Sequence, residues 1–167
     1  LPIILPQSTA SVKNLLDEYY RAAKFLYTRN EVYHDSKYNF AGDVYTSPVS
    51  RYDELMLKTR KKDIVGLYFL NPLQGYSTLA SREQIETLPK GFHLAGFEPP
   101  IAGAMYPRIL SRQETFLDMS AFNWVMDEKK GYWGVSFRTN DTGLANILPL
   151  GLNQGNGNRS SGLVFSK

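Results

Sequence analysis

Over residues 8–29 the apolar positions recur at helical spacing. Val12, Leu15, Leu16, Tyr19, Ala22, Ala23 and Leu26 share one face, with Lys13, Asp17, Arg21 and Lys24 between them. Ser8 or Ser11 can cap the start. Residues 30–47 lose the period and read as a loop with extended pieces. A second helix opens at Ser47-Pro48, where the fixed φ and missing donor of proline suit the first helical position. Its buried face would be Val49, Tyr52, Leu55, Met56 and Thr59. The period then becomes that of a strand. "DIVGLYFLN" is β-branched and aromatic, "PLQG" reads as a turn, and "YSTLA" reads as a returning strand. Ser81 and Gln84 fit a capping box for a short helix ended by Pro89 and Gly91.

Gly91, Gly96, Pro99, Pro100, Gly103 and Pro107 predict a long ordered loop over residues 90–112. Phe92, Leu94, Phe97, Ile101, Met105 and Tyr106 give it too much apolar surface for a free linker. Residues 115–126 and 131–139 predict a hairpin with a charged tip, forming the centre of the sheet. Along it Phe122, Trp124 and Met126 share one face, while Trp133, Val135 and Phe137 oppose Tyr132, Ser136 and Arg138. Asp141 or Thr142 would start a short helix stopped by Pro149. "GLNQGNGNRSSG" reads as a loop and "LVFS" as a last edge strand. The order predicts an α+β fold: an antiparallel sheet with a long N-terminal helix packed on one face. One domain would span 1–167, with an arm and helix over 1–29, a sheet core over 62–148, and a loop and edge strand over 149–167.

The 167 residues are 43% apolar, enough to bury a core. The net charge of +3 comes from 19 basic and 16 acidic residues scattered along the chain, which argues against a nucleic-acid partner. The Arg60-Lys61-Lys62 run suits the C-terminal end of a helix. With no cysteine there is no disulfide framework and no thiolate metal site. His34 and His93 are not at ligand spacing, and there is neither a nucleophile elbow nor a phosphate loop. Glu86 and Asp118 are able to do acid–base work, but no spacing singles them out. No enzyme, metal or cofactor is expected. No run approaches the ~20 apolar residues of a membrane span. "LPIILP" reads either as a remnant next to such a span or as an arm packed on the core.

The candidate site draws on the 90–112 stretch. His93, Tyr106, Arg108 and Arg112 place aromatic and basic groups together, and the arginine fork suits a carboxylate. The alternative is that the arginines are solvated or paired with Glu98, Glu114 or Asp118. Tyr68 and Trp124 read as core or as pocket lining. Together Tyr68, His93, Tyr106, Arg108, Arg112 and Trp124 would hold a small anionic molecule on the sheet face away from the long helix.

Two stretches carry a family resemblance. "KDIVGLYFLNPLQGYSTLA", residues 62–80, and "WVMDEKKGYWGVSFRTNDTGLANIL", residues 124–148, resemble the two hairpins of a Cache domain, the PAS-like sensor module of bacterial receptors. The helix 8–29 fits a module that continues from a membrane span. The resemblance implies a PAS-like sheet and a sensing domain of a histidine kinase, diguanylate cyclase or chemoreceptor. It implies a membrane-anchored parent, an extracytoplasmic place (periplasmic or cell-surface) in an inner-membrane protein, and a homodimer through the N-terminal helix. The arginine, aromatic pair and aspartate of amino-acid-binding members are not found: "YPRILSRQETFLDM" has Tyr106, Arg108 and Asp118 in another arrangement. The rival expectation is a structural or assembly subunit, such as a viral coat or envelope-complex component. It is suggested by the 11 tyrosines and the Asn/Gly-rich tail.

Overall fold

Alternation decides the first element. In β1 (Pro2–Leu5), Ile3 and Leu5 are buried while Pro2 and Ile4 face outward. The expected long helix over 8–29 is therefore shorter: α1 runs Val12–Tyr27 behind a strand and a proline-containing link. Ser11 is the cap, its Oγ accepting from the Asn14 amide at 3.3 Å. The computed structural model describes residues 1–27, 43–106, 116–125, 132–139, 145–155 and 157–166, without the side chains of 23–27, 139, 145 and 146.

The remaining elements follow in order. They are β2 (Asp43–Thr46), a 3-10 turn (Pro48–Ser50), α2 (Tyr52–Thr59), β3 (Ile64–Gln74), α3 (Thr78–Ile85), β4 (Phe92–Leu94), α4 (Glu98–Met105), β5 (Phe116–Asp118), β6 (Phe122–Val125), β7 (Gly134–Thr139), β8 (Ala145–Leu150) and β9 (Arg159–Phe165). The large sheet runs β1-β3-β9-β5-β7-β8, with β4 also on β9; β2 and β6 form a separate pair. Every pairing is antiparallel except β5 with β9. The mixed α and β content and mostly antiparallel sheet are as the sequence predicts.

Several local expectations are corrected. "PLQG" does not end its strand: β3 continues to Gln74 through a register shift between Phe69 and Leu73, and Gly75 turns at φ 83°. Pro72 is tolerated there because β1 pairs only with 64–67, leaving that side of β3 without a ladder. "YSTLA" is not a strand, because Ser77 Oγ accepts from the Ala80 amide at 3.2 Å and starts α3. Pro99 and Pro100 do not forbid structure in the 90–112 stretch. They lie in the first turn of α4, where amides have no intrahelical partner.

Ala145–Leu150 is a strand instead of the expected helix, with Pro149 on the outermost strand of the sheet. The terminal strand is not an edge either, since β9 lies between β3 on one side and β4 and β5 on the other. The expected pairing of 115–126 with 131–139 forms in two pieces: β5 pairs antiparallel with β7, Leu117 beside Phe137 and Asp118 beside Ser136, and a single bridge joins Trp124 to Trp133. Trp124 and Trp133 exchange amide bonds of 2.8 and 2.9 Å, after which β6 pairs with β2 while β7 enters the large sheet. The hairpin tip lies outside the described residues.

One face of the large sheet carries Ile3, Leu5, Ile64, Tyr68, Leu117, Val135, Phe137, Ile147 and Val164, all buried. Helices α1 and α4 pack together on this side, α1 reaching β8 and α4 reaching β1 and β3. The opposite face is covered over its middle by α3, whose Ser81 hydroxyl donates to Ser161 Oγ at 2.8 Å.

Candidate functional site

On the α3 side, side chains from β9, β5 and β7 stand in two adjacent rows. Pairing of β5 with β9 sets Phe116 beside Arg159 and Asp118 beside Ser161. Pairing of β5 with β7 sets Asp118 beside Ser136, and Arg138 follows two residues on. The outer row is Arg159, Phe116 and Arg138. The inner row is Ser161, Asp118 and Ser136. Period-2 alternation produces both, because i and i+2 of a strand share a face.

The outer row reaches water. Phe116 and Arg138 are half-buried, and the Arg159 side chain is 14% exposed. The two guanidinium carbons lie 4.8 Å (Arg138) and 4.9 Å (Arg159) from the Phe116 ring centre, within cation–π range. Strand spacing places their Cα atoms about 10 Å apart, with the ring between them.

The inner row is closed. Asp118, Ser136 and Ser161 are buried, and Arg159 Nη1 lies 3.5 Å from Asp118 Oδ1. Burial pushes the Asp118 carboxyl up from its ordinary 3.8 to about 7, while the neighbouring Ser136 hydroxyl and Arg159 guanidinium pull the other way. The Ser136 contact is nonetheless not a well-formed hydrogen bond. Asp118 Oδ2, Ser136 Oγ and Arg138 Nε are all buried without a partner. Thr78 Oγ1, also without one, stands above Gly134 on the same face of β7. Four of the six such atoms among the described residues therefore gather on this one face. Native interiors leave few such groups, and each asks for a reason.

Behind the inner row the polar groups are satisfied. Ser120 and Ser161 hydroxyls lie 2.5 Å apart. Arg82 of α3 donates to the carbonyls of Ser120 at 2.9 Å and Phe122 at 2.8 Å, and burial pulls its pKa down to about 10. These groups form a fixed base, so the unpaired atoms in front are held in place.

The residues singled out from sequence lie elsewhere. Tyr68 is fully buried on the opposite face of the sheet, against Gly162. His93 is buried with Nδ1 donating to the Arg51 carbonyl at 2.8 Å; burial lowers its pKa and that bond partly restores it. Tyr106 donates to the Pro2 carbonyl at 2.6 Å. Trp124 is buried on the small β2–β6 pair. Arg108 and Arg112 lie outside the described residues. Under the 91–106 stretch is an apolar crevice lined by Leu5, Pro6, Leu15, Tyr19, Tyr52, Met56, Thr59 and Phe97. Its ~10 Å³ suits about one water, and neither Tyr68 nor Trp124 lines it.

Of the three acids named as arginine partners, Asp118 meets Arg159, Glu98 meets Tyr52, whose hydroxyl donates to it at 2.9 Å, and Glu114 lies outside the described residues. Sequence reasoning missed Arg138, Arg159, Phe116, Ser136 and Ser161. A signal was available in "GVSFRT", where Ser136 and Arg138 fall on alternate positions of a strand whose other face, Val135 and Phe137, is apolar. Such a polar face inside a central sheet calls for a partner. Among the described residues no three His, Asp or Glu side chains cluster as a metal site requires. No described helix is long and apolar enough to cross a membrane. No protein family, no curated protein and no solved structure matches this chain.

Proposed function

We propose that this protein binds a small anionic molecule on the α3 face of its sheet, with Arg138 and Arg159 as anion partners and Phe116 as the platform between them. The observation that carries this reading is the gathering of buried, unpartnered Asp118 Oδ2, Ser136 Oγ and Arg138 Nε in two adjacent rows. Two guanidiniums against one raised carboxyl leave the site cationic. The setting would be the sensing domain of a membrane-anchored receptor, outside the cytoplasm. That part rests on the resemblance of residues 62–80 and 124–148 to Cache domains. A ligand signals there only through different affinities for two arrangements of the domain.

The test is a thermal-shift screen against small carboxylates, sulfonates and phosphates, with neutral and cationic metabolites as controls. Anions should raise Tm, and Arg159→Met should weaken binding ten- to a hundredfold. That range corresponds to a charge-assisted bond of about 1.5–3 kcal/mol. A screen in which no anion raises Tm at millimolar concentration would sink the reading.

A second reading, a structural subunit that packs on neighbours, is favoured by a different observation. Beyond α3 the same sheet face exposes Ile4, Val65, Leu67 and Phe69, with Val65 72% exposed. Phe92 and Phe165 extend this patch as half-buried rings 5.1 Å apart. Sedimentation separates the two readings. A monomer or weak dimer at micromolar concentration fits the sensor, and a stable large assembly fits the subunit.

A further inference from the structure

In its ionised form Asp118 opposes an anion on the neighbouring arginines. It stands in the row directly behind the two arginines, with one oxygen 3.5 Å from Arg159 and the other unpartnered. The groups that face it come from four elements. Arg159 and Ser161 lie on β9, Arg138 and Ser136 on β7, and Phe116 on β5 itself. Overhead, α3 supplies Ser81 and Arg82, the latter turned to the carbonyls of Ser120 and Phe122. Tyr68 of β3 acts on Asp118 through the sheet and stays neutral, its pKa raised well above 10 mainly by burial. No second carboxylate is among these neighbours. The Ser136 hydroxyl and the Arg159 guanidinium are the neighbours that favour the Asp118 charge.

An anion seated on Arg138 and Arg159 takes the guanidinium's share of that stabilisation away and adds a like charge beside a buried carboxylate. Like charges at such range do not both persist when one of them is able to bind a proton. We infer that Asp118 enters the complex as the neutral acid, so that the site takes up one proton with each anion and prefers oxyanions, whose second oxygen accepts the Asp118 O–H. The proton comes from solvent and forms the Oδ2–H bond. The Asp118–Arg159 contact is broken and Arg159 turns to the ligand, which opens the buried inner row to the ligand's second oxygen. A halide offers no second oxygen and gains nothing from the acid. This inference rests on the anion-binding reading above and adds its proton stoichiometry and ligand class.

The burial-raised carboxyl, near 7 without ligand, makes the change accessible at neutral pH. A ligand that raises it further binds about tenfold more weakly at pH 8 than at pH 6, since one pKa unit is a factor of ten.

The experiment is isothermal titration of the full chain with sulfate, acetate and chloride at pH 6 and pH 8, in two buffers of different ionisation enthalpy. Sulfate and acetate remain ionised throughout, so any proton taken up belongs to the protein. The expected result is up to one proton bound per sulfate or acetate at pH 8, about tenfold weaker binding there than at pH 6, and weaker chloride binding without proton uptake. Asp118→Asn should bind sulfate equally at both pH values with no proton uptake. The wild-type proton count stands by itself if that variant fails to fold. Sulfate binding without proton uptake overturns the inference and leaves the anion site standing. Absence of binding by any of the three anions at either pH overturns the anion reading itself. A pH dependence kept in Asp118→Asn assigns the proton to another group and overturns the inference.

Discussion

The ring of Tyr68 occupies the space that a side chain at position 162 would need. A methyl group on Gly162 would lie 2.4 Å from a Tyr68 ring carbon and 2.8 Å from its hydroxyl oxygen. Both residues belong to the central β3–β9 pair, where Tyr68 faces Val164. Neither backbone is able to retreat without breaking the ladder. Gly162→Ala should therefore destabilise by about 1–3 kcal/mol through overpacking, read as a fall in denaturant midpoint. Tyr68→Phe should do the opposite or nothing, because it removes a buried hydroxyl that has no partner. If Tyr68→Phe instead weakens anion binding, Tyr68 belongs to the ligand site as the sequence suggests.

Stability should fall as pH rises toward neutrality. Glu98 is fully buried, accepting from the Tyr52 hydroxyl at 2.9 Å and the Gly96 amide at 2.6 Å. Burial lifts its carboxyl from 4.5 to about 7, with the bonds from Gly96, its own amide and Tyr52 pulling it back. Between those values the folded chain holds a proton that the unfolded chain has released. This contribution is fully present below 4.5 and is lost as pH rises through 7. Asp118 acts in the same sense. His93 acts in the other, its lowered pKa favouring the fold as pH rises toward 6.5. Comparison with Glu98→Gln isolates the first effect. The variant should lose a slope of up to ~1.4 kcal/mol per pH unit between pH 5 and 7 in urea titrations. A variant profile parallel to the wild type would show that Glu98 is not the titrating group.

What the sequence made legible was set by local chemistry. The apolar period around Val12–Tyr19, the strand at Ile64–Leu70 and the burial of Trp124 and Val135 all follow from side-chain pattern alone. The failures share a cause. Pro72, Pro99, Pro100 and Pro149 read as breakers, yet each lies where no amide is needed, and that depends on which neighbour the strand or helix has. The candidate site was hidden for the same reason. Arg159 and Asp118 are 41 residues apart and meet only because β9 inserts beside β5, a parallel pairing that no local signal announces.

The two buried arginine neighbourhoods should separate stability from binding. Arg82 donates to the Ser120 and Phe122 carbonyls that connect β5 to β6. Arg82→Met leaves both carbonyls without their donor, at about 1–3 kcal/mol for each. Arg159 instead lies at the solvent side with a single 3.5 Å ionic contact. Arg159→Met should keep stability within about 1 kcal/mol of wild type, because Asp118 is able to take up a proton, while anion binding weakens ten- to a hundredfold. Chemical denaturation and sulfate titration of both variants test the contrast. Equal losses of stability would show Arg159 to be part of the scaffold.

The exposed end of the sheet is protected along its edge. The Leu1 ammonium donates to the Tyr68 carbonyl at 2.6 Å and the Tyr68 amide donates to the Leu1 carbonyl at 2.7 Å, so Leu1, Ile3 and Leu5 turn their polar groups toward β3 while Pro2 and Ile4 turn theirs outward. Pro2 has no amide to offer, and its carbonyl already accepts the Tyr106 hydroxyl at 2.6 Å. Along β1 an incoming strand therefore finds only the groups of Ile4, too few for a ladder, and farther along β3 it meets Pro72. Tyr106→Phe frees the carbonyl, and Pro2→Ala restores a donor. The double variant should associate at concentrations where the parent protein does not, since Val65, Leu67 and Phe69 lie next to the opened edge. Light scattering and analytical ultracentrifugation read this directly. A double variant as monodisperse as its parent would show that the apolar face, rather than the edge, governs how copies of this chain meet.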